Sequence, residues 1–439
     1  MKTIIRSTNV ALLLAAIIAL GAAASFAQDQ CRDGAGQTKL GDIFRELYPK
    51  KDIPGRKDAI SAGKQFLEKY GACEPTDDMA DDLKATLRST KDLSEYLKTT
   101  LPKMEANLAK AEKADRETEI ANRFNAAIKA SNWDEVYKSG KELLAEDAEK
   151  YRPVILVLGS IGYDETAKAT PVTKWNDETI RFAKLAIAEI ESGKTFSSFG
   201  VVPFDYANKE NAVAWMNLSI GYILTFDKKN KKEAAPYLYK ASQAASDTKT
   251  NANTYDAMGS YYFDEAAKLE SEIKTMRADI KESDAPEVIK TKVDAMNNKI
   301  GLLNGTLERA MDAYARAWNA APNTAAAKAY KDNKMKTIET LYEARFDKKD
   351  GVKAWVDAAI AKPTPNPSIA VTPILDPEPT PTTTTSTTAP ATKPETKPAA
   401  PATKPATPGK PSVAATETAV KTPAAVSVAK PAVRKKGTR

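Results

Sequence analysis

The chain has 439 residues, 65 Lys and Arg against 58 Asp and Glu, two cysteines and no histidine. The lack of histidine excludes Ser-His-Asp and Cys-His nucleophile systems and every His-ligated metal site. The formal charge of +7 is a property of the ends. Residues 363–439 carry ten Lys and Arg against four Asp and Glu, and residues 1–27 add Lys2 and Arg6, so the body between is close to neutral. A basic nucleic-acid-binding face is therefore not expected, and nucleic acid is not a predicted partner.

Residues 1–27 read as a secretory signal peptide. Lys2 and Arg6 precede an apolar run from Val10 to Ala24, and Ser25-Phe26-Ala27 supplies small residues at the cleavage positions. The run falls short of the ~20 residues that a spanning helix requires. The expected location is periplasmic or secreted, in a bacterial cell envelope. In that compartment the lone pair Cys31 and Cys73 is expected to form a disulfide, and free thiols are the lesser alternative.

Apolar residues recur at spacings of three and four through the body, with Ala, Leu, Lys and Glu dominant, so the fold class is all-α. Residues 28–150 form an N-terminal helical region, with a helix from about 55 to 70 closed by Gly71. Thr76, followed by Asp77 and Asp78, is expected to cap a helix running to about 98. Pro102 is expected near the start of another helix reaching about 130, and Asn132 is expected to cap one ending near 146. Helix pairs are then expected at 152–165 with 177–192, 210–226 with 232–246, 252–281 with 286–320, and 324–346 with 350–361. Ser192-Gly193-Lys194-Thr195 has the ending of a phosphate-binding loop, but it follows a helix and lacks the leading glycine. It reads as a helix C-terminus with Gly193 as its cap.

Two strings of residues carry a family resemblance. Tyr255, Met258, Gly259 and Tyr262 have the spacing of the first helix of a tetratricopeptide repeat; Ala310, Tyr314, Ala317 and Pro322 have that of the second. Trp215, Leu218, Ser219 and Tyr222, followed by Ala234, Leu238 and Ala241, repeat the pattern, as do Tyr342, Gly351, Trp355, Ala358 and Pro363. Leu158-Gly159 and Tyr163, with Ala183 and Ala186, match in part. Residues 151–362 thus resemble a tetratricopeptide (TPR-like) helical-hairpin solenoid. In the clearest repeat Tyr262 and Ala310 stand 48 residues apart, where the family places them about 9 apart. The insertion, at about 264–305, has apolar residues in 4-3 alternation on both arms, from Tyr262 to Ile280 and from Ile289 to Tyr314. It reads as an antiparallel coiled-coil hairpin projecting roughly 29 Å. Asp284-Ala285-Pro286-Glu287 is expected to turn the chain, with Asp284 as N-cap. The alternative is a further helix pair folded back on the others.

The resemblance places a groove on the first helices of each pair. Carried over, this gives Asn217, Ile220, Asn253, Asp256, Ser260, Asn333 and Lys336 as candidate protein-binding residues. A second candidate surface is the aromatic loop Phe196, Phe199, Phe204 and Tyr206, which either forms a docking patch or packs back on the helices. From Pro363 onward lie 16 of the 26 prolines, with Thr runs and Lys-Pro steps, so residues 363–439 are expected to be a disordered Pro/Thr/Ala/Lys-rich tail. No catalytic residue, metal site or cofactor is predicted. The expectation is a non-enzymatic exported scaffold or adaptor that binds envelope proteins. The alternative is a glycan-binding module, in which the basic tail holds peptidoglycan or another anionic wall polymer.

Overall fold

The computed structural model describes residues 30–200 and 206–376, and every described element is helical. The signal-peptide reading, Phe204 and the tail beyond Asp376 lie outside the described residues. The chain divides into two compact units within one long helix, between Arg123 and Phe124.

The first unit is built from α1 (Gly34–Leu47), α2 (Ile53–Tyr70) and the greater part of α3 (Asp81–Lys129). Asp33 and Asp52 cap α1 and α2 by accepting from the Gly36 and Gly55 amides, satisfying amides that the first turn leaves unpaired. Phe44, Phe66, Leu87 and Leu97, contributed by the three helices, are almost fully enclosed. Each such side chain contributes about 1.5–3 kcal/mol of burial. Cys31 and Cys73 are joined with their Cα atoms 5.3 Å apart, which ties the segment before α1 to the end of α2.

Three expectations for this unit change. Helix α1 is an addition, in a stretch whose three glycines disfavour helix. Thr76 does not cap α3; its hydroxyl bonds Asp78 in a turn, and the helix starts at Asp81. Pro102 does not divide two helices but lies inside α3. An internal proline costs about 3 kcal/mol, and the burial of Leu97 and Leu101 in the turn that precedes it offsets the loss.

The second unit begins with the last turns of α3 and continues with α4 (Trp133–Glu146), α5 (Val154–Leu158), α6 (Ile161–Thr166), α7 (Asn176–Glu191), α8 (Lys209–Phe226) and α9 (Lys231–Gln243). A 3-10 turn, Asp247–Thr250, leads to α10 (Ala252–Asp279), α11 (Pro286–Ala320), α12 (Ala325–Phe346) and α13 (Val352–Ile360). Neighbours in sequence pack as neighbours in space: α7 on α8, α8 on α9, α9 on α10, α10 on α11 and α11 on α12. Asn132 caps α4, as expected. Gly193 ends α7 in the left-handed region (φ 79°), with Lys194 N bonded to Glu189 O.

The helix expected over 152–165 is divided at Gly159 and Ser160. A Cβ at Gly159 would lie 2.7 Å from Met216 Sδ and 3.0 Å from the Ala183 backbone, so this glycine sets how closely α7 and α8 approach the break. Gly259 plays the same part further on. A Cβ there would meet the Tyr314 ring at 2.6 Å.

Candidate functional site

Three surfaces of the second unit bear on binding. The first is the set of positions carried over from the family groove. Asn217 and Ile220 are enclosed within α8, because that helix is covered by α7, α9 and α10. They are not exposed groove residues. The Asn217 amide donates to Val213 O at 2.8 Å. Asn253 is half-buried and donates to the Tyr163 hydroxyl at 3.1 Å. Ser260 is half-buried, and its carbonyl accepts from Lys231 Nζ at 3.4 Å. Asn333 and Lys336 are exposed on α12.

Asp256 is also buried rather than exposed, and its partner was not foreseen. Lys334 Nζ lies 2.5 Å from Asp256 Oδ1, with 10% and 11% of the two side chains exposed. The Tyr314 and Tyr330 rings lie 5.0 and 5.4 Å from the same ammonium. Burial, reinforced by the Asp256 charge, holds the Tyr314 and Tyr330 hydroxyls well above the usual tyrosine range. Burial likewise raises Tyr163 to about 12, against the hydrogen bonds from Asn253 and Asn251. The carried-over groove positions therefore converge in part on a polar seam that joins α10 to α12, in which the two charges are paired with each other and the Tyr330 hydroxyl is left without a hydrogen-bond partner.

The aromatic loop packs back on the helices. Phe196 and Tyr206 are buried, and Phe199 is half-buried and stacked on Phe196 with centroids 5.4 Å apart. Tyr206 shares a hydrogen bond with Ser160. The loop is accordingly not an exposed docking patch at its described residues. Among the described residues no three metal-ligating side chains converge, and no helix is long and apolar enough to cross a membrane.

The second surface is the inserted hairpin. Helices α10 and α11 run as one antiparallel pair, without a further folded-back pair. Between residues 267 and 300 only Ile273 is buried, while the other seam residues, including Leu269, Met276, Ile280, Ile289, Val293 and Met296, are half-buried. That is the burial expected of a two-stranded seam flanked by solvent. Asp284 does not cap α11. Ala285 occupies that position, with Pro286 in the first turn. Asp284 instead closes the tip by accepting from Lys281 N at 3.2 Å and Lys292 Nζ at 3.0 Å. The Lys292 ammonium holds its carboxyl below the usual range.

The third surface was not legible as a site. Residues 363–376, expected to begin the disordered tail, form a strap laid along α11, with a turn at 366–369 closed by Ile369 N on Asn366 O. Arg309 donates to Ile369 O at 2.8 Å and Ala370 O at 3.0 Å. Asn304 donates to Ile374 O at 3.0 Å, and Ile374 N donates to Gly301 O at 2.9 Å. Asp376 receives Arg345 at 2.9 and 3.1 Å, and the same guanidinium bonds Glu308 at 2.9 Å. A Cβ at Gly305 would lie 2.5 Å from Thr372 O, and one at Gly301 would lie 3.0 Å from Leu375. The two glycines, four apart and on one helix face, make the trough in which the strap lies. A cavity of about 270 Å³ adjoins it, lined by Asp312, Trp355, Ala359, Val371 and Thr372 among others. Burial pushes the Asp312 carboxyl up, opposed by two hydrogen bonds from Arg316.

Comparison with protein-family models, curated proteins and solved structures finds no match to this chain.

Proposed function

We propose that the protein is a non-enzymatic, exported scaffold or adaptor of the bacterial cell envelope, built on tetratricopeptide-like helix pairs and presenting the α10–α11 hairpin to a protein partner. The single observation that carries this reading is the solvated span 267–300, two helices of an inserted hairpin with one buried side chain between them. An extension of this length adds little to the core it leaves, so its expected use is on its surface. The contact of Gly259 with Tyr314 supports the repeat reading, because it pairs the small residue of the first helix with the aromatic of the second. Export rests on the signal-like residues 1–27, and the Cys31–Cys73 disulfide suits an oxidising compartment.

The test is affinity capture from envelope fractions by the full chain and by a chain whose residues 267–300 are replaced with a short turn. A discrete protein retained by the first and lost by the second is the expected result. Retention of the same proteins by both chains would remove the hairpin from the account. Sedimentation with insoluble cell wall at low salt, lost when residues 377–439 are removed, would favour the glycan-binding alternative.

A further inference from the structure

The strap offers a large area of backbone but little of its own apolar surface. Ile369 and Leu375 are each 62% exposed, and only Val371 and Ile374 among its aliphatic side chains are half-buried. It is held by carbonyl capture at Arg309 and Asn304, by the Ile374 amide on Gly301 O, and by the Asp376–Arg345 pair. Contacts of this kind fix an extended backbone and one acidic position while leaving most side chains free. The receiving surface, by contrast, is built. Arg345 is 4% exposed and already oriented by Glu308. Gly301 and Gly305 leave a trough that any side chain would fill. The cavity of about 270 Å³ beside it is lined by Gly305 and by Val371, whose side chain lies over Gly305, and that space suits a larger apolar group.

We propose that this trough on α11 is a docking site for an extended segment of another polypeptide, and that residues 366–376 occupy it as an intramolecular stand-in. The partner segment carries an acidic residue at the place of Asp376, to meet Arg345. It carries a bulkier apolar residue at the place of Val371, to fill the cavity. The cis segment binds at the high effective concentration that covalent attachment gives. A better-fitting segment displaces it, and the stand-in protects the trough until then. This assignment shares with the adaptor reading only the premise that the chain binds polypeptide; it does not involve the hairpin tip.

The test uses full-length chains and defined peptides, so it needs no natural partner. A labelled peptide spanning residues 364–378 is titrated against the wild type and against a chain carrying Ile374→Pro and Asp376→Arg. The first change removes the amide that meets Gly301, and the second sets like charge against Arg345. The altered chain should bind the peptide at least about tenfold more tightly than the wild type, because the competing segment has left. Adding Gly305→Val should abolish that binding, and unchanged thermal melting of each chain verifies the fold. Asp376→Arg alone, which leaves the backbone contacts in place, should give an intermediate gain. A peptide with Phe at the Val371 position should bind about tenfold more tightly than its parent. No binding to the strap-released chain, or binding indifferent to Gly305→Val, would overturn the docking site. Equal affinity for the two peptides would overturn the cavity as its side-chain pocket.

Discussion

Lys334 on α12 and Asp256 on α10 form an ion pair of 2.5 Å in which both side chains are about nine-tenths enclosed. The ammonium also lies over the rings of Tyr314 and Tyr330. Removing one partner strands the other charge in a low-dielectric seam, a loss of about 3–5 kcal/mol. Asp256→Asn and Lys334→Met should each show a loss of this order in urea unfolding. The double change Asp256→Leu with Lys334→Met should recover much of it, since a packed apolar pair replaces the charges without leaving one unpaired. Additive losses in the double variant would mean that the two side chains act independently.

The disulfide makes a prediction confined to the first unit. Cys31 and Cys73 are 42 residues apart, and closing a loop of that size stabilises by roughly 3–4 kcal/mol in the chain-entropy model. Reduction, or the pair Cys31→Ser with Cys73→Ser, should lower the stability of α1 and α2 by about that amount. Hydrogen exchange resolved by segment should show the loss in residues 34–70 and little change in residues 209–346.

Gly259 tests the packing that underlies the repeat reading. The Cβ of a substituted residue would lie 2.6 Å from Tyr314 Cε1, and Tyr314 is buried and cannot swing into solvent. Gly259→Val should therefore destabilise by about 1–3 kcal/mol through overpacking. Combining it with Tyr314→Leu should return part of the loss. A neutral Gly259→Val in thermal melting would show that α10 and α11 separate at no cost.

The tyrosines give the pH dependence its sign. Burial raises Tyr163 to about 12, and raises Tyr137, Tyr206, Tyr222, Tyr314 and Tyr330 as well. A phenol whose folded pKa lies above its unfolded value binds more protons in the folded state, so stability falls as pH rises past the unfolded value of about 10. The stabilisation is fully present below that value and, for Tyr163, is lost as the pH reaches about 12. Tyrosinate absorbance of the buried set should rise together with the loss of helical circular dichroism. Smooth ionisation of all tyrosines in a chain that keeps its helical signal would contradict these environments.

What the sequence made legible follows from which interactions leave a side-chain pattern. The 4-3 spacing on both arms of the hairpin gave its seam, and Asn132 and Gly193 gave two helix ends, because each acts through its own side chain or backbone freedom. Helix α1 was missed because Gly34, Gly36 and Gly41 lower local propensity, while what holds it is tertiary burial of Phe44. Pro102 was read as a boundary by the same local logic, and the packing of α3 overrides it. Nothing in the sequence distinguishes Lys334 from the other lysines of its helix; only the fold brings Asp256 to it. The strap was hidden by its prolines, and, apart from the Asp376–Arg345 pair, its polar contacts are made by backbone groups that no side-chain periodicity records. The spacing of Gly301 and Gly305, one turn apart in α11, was the available sign that another backbone approaches there.

The central claim is that the hairpin is the partner-facing device of this chain. Site-specific photo-crosslinking in intact cells tests it most directly, with the probe placed at Val288, which is 44% exposed beside the tip, and at Leu185 on α7, which is 38% exposed, as the comparison. The account predicts a discrete protein adduct from position 288 and none of that mass from position 185. Adducts from position 185 alone, or none from any exposed position along 267–300, would contradict it.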